Sequence, residues 1–492
     1  MEIELKFQLN QRASHSIHAQ LRAEGGKSKL LAAYYFDTVA GTLAQSGFSL
    51  RLRKEGRVWF QTLKSARSAA SAVRGEHNVR LPVKAQPQLD PSVHVETEDG
   101  VRLQRLLSRF SDNRLACRYA TYIRRLSVQI GTRNRVEYSL DHGEISAQPD
   151  SNIPPLVLTV CELEIELVSG PVRGLLSAAR KLLVNPGVYI DVRSKAQRGD
   201  ALVNGSLIVS PARAVPLNKK SNSLKALVEA VLINCAHQVL VNASQLASIE
   251  GGGPEHVHQL RVGLRRLRSA IALFVKFVGK DISAWETKAK QFAAGLGGNR
   301  DIDVMTEGLW PRLRAAGAPL VELPVHDNVL PPGDLIRNAE MQQWMLELLS
   351  VELQGLGEVT EGEWSLVLPV VRGWIRQCRK EALRFESFDF EQRHRLRKRL
   401  KRLRYALEFI ESELPSKCYK RYSKALTNVL NDLGEYNDLR VAIEAYRGIS
   451  ELDPRAWFAI GWLMAQLPKA ERRCIKALAA FHAAKDPCYQ GR

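Results

Sequence analysis

Paired cysteines, long apolar runs and negative charge are what this sequence of 492 residues has least of. Its seven cysteines, Cys117, Cys161, Cys235, Cys378, Cys418, Cys474 and Cys488, are odd in number, scattered and free of Cys-x-x-Cys spacing. That excludes a disulfide framework and a structural zinc site as the organising feature. No run approaches the roughly 18 apolar residues of a membrane span. Position 2 is acidic and no apolar signal core follows it, so a cytoplasmic location is expected and no membrane partner. With 52 Asp and Glu against 71 Lys and Arg, the chain carries a net charge of +19. Such a field draws polyanions: nucleotides, nucleic acid or polyphosphate.

What is present is a folded composition, 45% hydrophobic and 25% charged, at a length suited to two to four domains. Residues 1–205 read as short alternating segments broken by Gly, Pro, Asn and Asp, for example Glu2–Phe7, Phe48–Arg53, Val58–Leu63, Tyr122–Ile130, Arg135–Leu140 and Leu156–Leu167. Period two of this kind predicts a mostly β half. Residues 206–222, with two prolines and Lys219-Lys220, read as a linker. From 223 to about 485 apolar residues recur at i, i+3, i+4 and i+7, which predicts an all-α half interrupted by a Pro- and Gly-rich stretch at 317–334.

On a strand, Glu2, Glu4 and Lys6 share one face at spacings of about 7 Å, with Ile3, Leu5 and Phe7 on the other. Glu162, Glu164 and Glu166 repeat the pattern opposite Leu163, Ile165 and Leu167. Between them lie Arg51, Arg53, Lys64, Arg74, Glu76, Arg125, Arg135, Glu137 and Asp141. Two acidic strands suit a hard divalent cation, and interleaved bases suit phosphate oxygens. Alternation alone favours an ordinary sheet whose charged face meets water.

The order of the signals separates the two. Glu2-x-Glu4-x-Lys6, Tyr35-Phe36-Asp37-Thr38, Gly47 through Leu50-Arg51-Leu52-Arg53, Thr62-Leu63-Lys64, Arg74-Gly75-Glu76, Leu140-Asp141-His142-Gly143, the strand Glu162–Leu167 with Ser169-Gly170, and Ser194-Lys195-Ala196-Gln197-Arg198-Gly199 follow one another over the first 205 residues. This set resembles the CYTH, or triphosphate tunnel metalloenzyme, superfamily. The resemblance implies an antiparallel eight-stranded β tunnel whose charged face points inward. In it Glu2, Glu4, Glu76, Asp141, Glu162, Glu164 and Glu166 would hold Mg²⁺ or Mn²⁺, and Lys6, Arg51, Arg53, Lys64, Arg74, Arg125, Arg135, Lys195 and Arg198 would grip phosphates. Glu4, Lys6, Lys64 and Lys195 would be the catalytic members, with Lys195 and Arg198 on a short helix plugging one end. Asn78 stands where many relatives carry an acidic or aromatic residue. Arg124 and Arg133 compete with Arg125 and Arg135 for the lumen, because a slip of one residue flips the face.

The α half contains a duplication. His258-Gln-Leu-Arg261-Val-Gly-Leu-Arg265-Arg266-Leu-Arg268 matches His394-Arg-Leu-Arg397-Lys-Arg-Leu-Lys401-Arg402-Leu-Arg404 at a distance of 136 residues, and Leu296–Asp301 matches Leu433–Asp438. At about 100° per residue His258, Arg261, Arg265 and Arg268 fall within roughly 80°, opposite Leu260, Leu264 and Leu267, and the second copy behaves likewise. A surface helix usually mixes acids among its bases, whereas residues 393–404 hold eight Lys and Arg and no acid. The pair resembles the CHAD, or conserved-histidine α-helical, domain over residues 223–485. That resemblance implies two pseudo-symmetric four-helix bundles whose basic helices face a channel binding inorganic polyphosphate through His258, Arg261, Arg265, Arg266, Arg268, His394, Arg397, Lys401, Arg402 and Arg404. Structural roles stay open for His258 and His394. Asn299, Asp301, Asn437 and Asp438 follow Gly at expected helix ends and read as capping or orienting residues.

The expected architecture is therefore α+β and multidomain: tunnel, linker, helical domain. The leading functional expectation is a metal-dependent hydrolase of inorganic triphosphate whose helical domain binds long-chain polyphosphate. The alternatives are a non-catalytic protein docked on polyphosphate granules and an enzyme acting on an organic triphosphate. Nucleic acid is not an expected partner, since no aromatic residues interleave the basic helices to stack bases.

Overall fold

The computed structural model describes residues 2–66, 73–82, 87–109, 114–148, 154–217, 220–279, 282–296, 308–321 and 330–488. Asn299 and Asp301 lie outside the described residues, and of Arg74 only the backbone is described.

Nine strands form one antiparallel sheet: β1 (Glu2–Leu9), β2 (Lys27–Asp37), β3 (Phe48–Glu55), β4 (Val58–Ala66), β5 (Val73–Leu81), β6 (Ala116–Ile130), β7 (Arg135–Ala147), β8 (Leu156–Ser169) and β9 (Val188–Ile190). The order is β5-β4-β3-β2-β6-β7-β8-β1-β9, and β1 also pairs with β5, Glu2 opposite Arg74, which closes the first eight strands into a ring. The expected count of eight is thus the ring, and β9 is an addition that occupies the rest of the β1 edge, Phe7 opposite Ile190 through Leu9 opposite Val188. Closure removes the sheet edges.

Strand parity decides what the ring encloses. Leu5, Phe7, Leu163 and Ile165 are buried on the outer face, where the helices Gln11–Ala23 and Val172–Leu182 turn Ile17, Leu21, Leu175 and Leu176 inward. Leu50 and Leu63 pack with Leu103 and Leu107 of the helix Glu98–Leu107. With the apolar side consumed by covering helices, the charged side faces the lumen and not water. At one end the lumen turns apolar. Leu31, Ala33, Tyr35, Tyr119, Ile123, Ile145, Ala147, Leu158 and Val160 surround Leu202 of the helix Lys195–Val203, so this helix plugs the barrel by burying hydrocarbon.

The α half consists mainly of the helices Leu224–Ala247, Pro254–Phe274, Ser283–Gly295, Ala339–Gln354, Leu368–Ala382, Phe390–Phe409, Ser416–Ile449 and Ala456–Ala483. The chain divides into two compact units whose first break, between Arg213 and Ala214, falls inside the expected linker 206–222, and the first unit also takes in two segments of the α half. The first unit comprises Met1–Arg213, Ala236–Leu260 and Pro331–Gly355, and the second Ala214–Cys235, Arg261–Leu330 and Leu356–Arg492. Side chains of the first unit explain the borrowing: Gln342 Oε1 accepts from Ile190 N at 2.6 Å, and Ser244 Oγ from Val192 N at 3.1 Å. The fully buried Arg193 pairs with Asp191 and donates to Gln245 Oε1 at 2.7 Å. These helices supply hydrogen-bond partners that the strand β9 and its sequel lack.

Two sequence expectations change here. Leu224–Ala247 is long and apolar enough to cross a membrane by length and composition, contrary to the expectation that no segment approaches this. Of its most apolar 18 residues, 61% are buried within the protein, the pattern of a core helix. Asn437 and Asp438 do not cap a helix end, because Leu433–Asp438 lies inside the 34-residue helix Ser416–Ile449; of the two expected roles the orienting one remains, with Asn437 Oδ1 2.8 Å from His394 Nδ1.

Candidate active site

Alternate residues of the ring strands line a cavity of about 520 Å³. Glu2, Glu4 and Lys6 come from β1, Arg51 and Arg53 from β3, Lys64 from β4, Glu76 from β5, Arg125 from β6, Asp141 from β7, Glu164 and Glu166 from β8, and Lys195 from the plug helix. Cross-strand register produces the pairings: Lys6 opposite Glu164, Glu4 opposite Glu166, Lys64 opposite Glu76, and Arg125 opposite Asp141. The competition between Arg124 and Arg125 resolves by parity, with Arg124 exposed outside and Arg125 lining the cavity.

The charges organise into two groups. In one, Arg125 grips Asp141 in bidentate fashion at 2.7 and 2.6 Å and reaches Glu164 at 2.5 Å. Lys195 Nζ lies 2.7 Å from Asp141 and 3.0 Å from Glu164 and also pairs with Glu162, whose other oxygen takes Arg198. Burial works against the Lys195 charge, but the three carboxylates raise its pKa above the ordinary value. In the other group, Lys64 bridges Glu2 at 2.9 Å and Glu76 at 2.5 Å. Burial and the hydrogen bond with Glu76 push Glu2 up to about 8. Burial opposes ionisation of Glu76 too, yet its hydrogen bond to Glu2 and the Lys64 charge hold it below the carboxylate range, so the pair keeps one proton, on Glu2. Asn78 donates to Glu76 Oε1 at 2.6 Å and accepts from Thr62 Oγ1, which fixes the Glu76 carboxylate in place.

The residues fit a divalent cation. Oxygens of Asp141, Glu162 and Glu164 lie within 4.8 Å of one another, an all-oxygen set of the kind hard cations take. The Lys195 ammonium already sits among them, which shows that the trio demands positive charge. Glu4 directly opposite Glu166 is a like-charge pair that a cation would relieve. The arginines fit an anion: Arg51 Nε and Arg53 Nε are buried without an acceptor, a costly state unless a ligand oxygen completes it.

Some expected members are elsewhere. Arg135 is exposed and donates to Ser169 Oγ at 3.2 Å; it does not line the cavity, because the register shifts between Arg135 and Val136. Glu162 and Arg198 are buried beneath the wall. Sequence reasoning missed Tyr35, Ser49, Thr121, Ser139 and Asp200 as cavity residues. Parity along the strands carries the signal for the first four. No local pattern carries it for Asp200.

In the second unit, the bases of Pro254–Phe274 and Phe390–Phe409 form a second cationic group. Burial and the charges of Arg397, Arg265 and Arg404 push Lys401 down to about 7. Arg265, Arg397 and Arg404 each bury an Nε without an acceptor. His394 Nδ1 and Asn437 Oδ1 are 2.8 Å apart. Arg261 donates to Leu296 O at 2.5 Å, and Arg268 pairs with Glu286 at 3.5 Å. Two expected members leave this set. Arg266 is buried, pairs with Glu408 at 3.0 Å and lies over the Phe409 ring, and the exposed Arg402 lies over Trp374. Each follows its neighbour by one residue, and about 100° of helix turn carries it off the basic face. His258 is half-buried and falls in the first unit.

Fold and site together define a class: a closed antiparallel β-tunnel with a charged lumen, joined to an all-α domain. Residues 1–199 match the family model of the CYTH domain and residues 230–447 that of the CHAD domain, so the chain belongs to the proteins that carry a CYTH domain followed by a CHAD domain. Among solved structures it is similar to the CHAD domain from the plant Ricinus communis, at 29% identity over 56% of this chain and 98% of that one, with a TM-score of 0.48. A putative adenylyl cyclase from Hippeastrum, described as having a dominant triphosphatase activity, matches at 19% identity over 42% of this chain and 98% of that one, TM-score 0.28. A putative adenylate cyclase from Bacillus halodurans matches at 18% over 38% and 91%, TM-score 0.27.

Proposed function

We propose that the tunnel hydrolyses inorganic triphosphate with Mg²⁺ or Mn²⁺, that the helical domain binds long-chain polyphosphate, and that the protein works in the cytoplasm. The observation that carries the first reading is the composition of the cavity wall, in which the buried Arg51 and Arg53, each with an Nε that lacks an acceptor, alternate with paired carboxylates. Arg51, Arg53 and Arg125 would hold the phosphate chain through charge-assisted hydrogen bonds. Lys6 and Lys64 would stabilise charge developing on the departing phosphate, being fixed by Glu4 and Glu2 before substrate arrives. Asp141, Glu162 and Glu164, or Glu2, Glu4, Glu76 and Glu166, would hold the cation. A bound divalent ion supplies positive charge against the phosphoryl oxygens.

Purified protein with either cation is expected to release phosphate from inorganic triphosphate much faster than from ATP. Equal rates, or none, defeat the reading. The polyphosphate proposal rests on the doubled basic face, where Arg265, Arg397, Lys401 and Arg404 crowd together. A filter-binding titration with long-chain polyphosphate at several salt concentrations tests it, since counterion release makes such binding fall steeply with salt.

A further inference from the structure

Asp200 belongs to neither charge group of the tunnel, yet it lines the same cavity. Among the described residues no lysine or arginine forms an ion pair with it, whereas Glu2, Glu4, Glu76, Asp141 and Glu164 each have one. Its position is fixed. The Tyr119 hydroxyl donates to Ala196 O at 3.2 Å, one turn before Asp200 on the same helix, and interacts with the Asp200 carboxyl, and Tyr119 stacks on Tyr35 with ring centroids 4.6 Å apart and an interplanar angle of 17°. Tyr35 in turn accepts from Arg51 Nη1 at 3.0 Å. The neighbouring Gly199 permits this, because a Cβ there would lie 2.3 Å from the Tyr119 ring. Asp200 also feels Asp37 and, in the opposite sense, Arg118, which is beyond ion-pair distance; the Asp37 carboxylate accepts from Leu43 N and Ala44 N and thereby holds the segment that brings Ala44, Gln45, Ser46 and Ser49 to the cavity. Along the wall the carboxylates of Glu2, Glu4, Glu76, Asp141 and Glu164 are each matched by a base, whereas at the plugged end, where Tyr35 and Tyr119 pack about the helix Lys195–Val203, the lining carries Asp200.

We infer that Asp200 is a specificity-determining residue that limits the length of the phosphate chain the tunnel accepts, by setting a carboxyl group with no matching base at the plugged end of the cavity, where a fourth phosphate would lie. The inference rests on the tunnel being a site for short phosphate chains. A like charge facing a ligand group rejects it, while a group of opposite charge admits it. Burial and the Asp37 charge push the Asp200 carboxyl up to about 7, so the rejection grows as pH rises past neutrality.

The test compares inorganic tri- and tetraphosphate in the full chain with Asp200→Asn and Asp200→Lys. The ratio of kcat/KM for tetra- over triphosphate is expected to rise about tenfold in Asp200→Asn, the rate equivalent of 1.4 kcal/mol, and further in Asp200→Lys. A ratio unchanged in both folded variants overturns the inference. Tyr119→Phe, which frees Asp200 without removing it, is expected to raise the ratio less and guards against a folding artefact in the charge variants. Should the wild type cleave neither chain, the hydrolase reading fails. Competition between the two chains for binding then still decides the length question: wild type favouring triphosphate and Asp200→Lys losing that preference supports it, and equal affinities overturn it.

Discussion

At the scale of single residues, the tunnel is a set of charges that satisfy one another until a ligand arrives. Lys195 is the clearest case. It is the cation around which Asp141, Glu162 and Glu164 gather, with Arg125 and Arg198 behind. Removing one partner from a buried ionic cluster leaves charge uncompensated, at a cost of roughly 3–5 kcal/mol. Lys195→Ala is therefore expected to lower the melting temperature in chelator, and Mg²⁺ or Mn²⁺ is expected to restore more stability to the variant than to wild type. A thermal shift series with and without cation checks this, and identical increments in both proteins would count against a cation among these carboxylates. In the helical half the sign of the charge problem is opposite. Lys401, pushed down to about 7 by burial and by Arg397, Arg265 and Arg404, is protonated below neutral pH and neutral above it. A polyanion favours the charged form, so binding takes up a proton. Affinity for long-chain polyphosphate is expected to be highest below pH 7 and to fall as pH rises through 7, with the fall flattened in Lys401→Met. Calorimetry in buffers of different ionisation enthalpy measures the proton uptake directly.

At the scale of elements, the period-two strands were legible in the sequence because each strand of the ring is half apolar and half charged. What alternation could not tell was which half faced inward. That depended on helices that cover the outer wall, such as Gln11–Ala23 and Glu98–Leu107, and only the ordered likeness to a known family supplied it. The strand β9 and the alliance of Gln342 and Ser244 with its backbone were illegible, since they join residues more than fifty positions apart through single hydrogen bonds. Arg135, Arg266 and Arg402 were misassigned for one shared reason. Facing is decided within one residue, at a bulge in the first case and by helix turn in the other two. Register also makes a prediction. A Cβ on Gly143 would lie 1.9 Å from Tyr122 O across the β6 and β7 ladder, two residues from Asp141. Gly143→Ala is expected to strain this ladder, lower the melting temperature and displace Asp141 from Arg125, reducing phosphate release more than polyphosphate binding. Rates and melting curves of this single variant measure both effects.

At the scale of the whole molecule, the proposed activities draw on residue sets that do not overlap. The tunnel charges lie in the first compact unit, and Arg265, Arg397, Lys401 and Arg404 in the second. The net charge of +19 is shared by both, so long-range attraction of polyanions should survive loss of either site while specific binding should not. Glu4→Ala removes a buried carboxylate paired with Lys6 at 2.8 Å and is expected to abolish phosphate release while polyphosphate retention persists. Replacing Arg265, Arg397, Lys401 and Arg404 together by glutamine is expected to abolish retention and leave the hydrolysis of triphosphate intact. The same replacement relieves like-charge crowding of buried bases, so the variant is expected to melt at a higher temperature than wild type in the absence of polyanion. That pairing of weaker binding with greater stability is what a preassembled anion site requires, because the charges are held together at a cost that only the ligand offsets. A variant that loses both binding and stability would mean instead that the basic helices serve to build the domain.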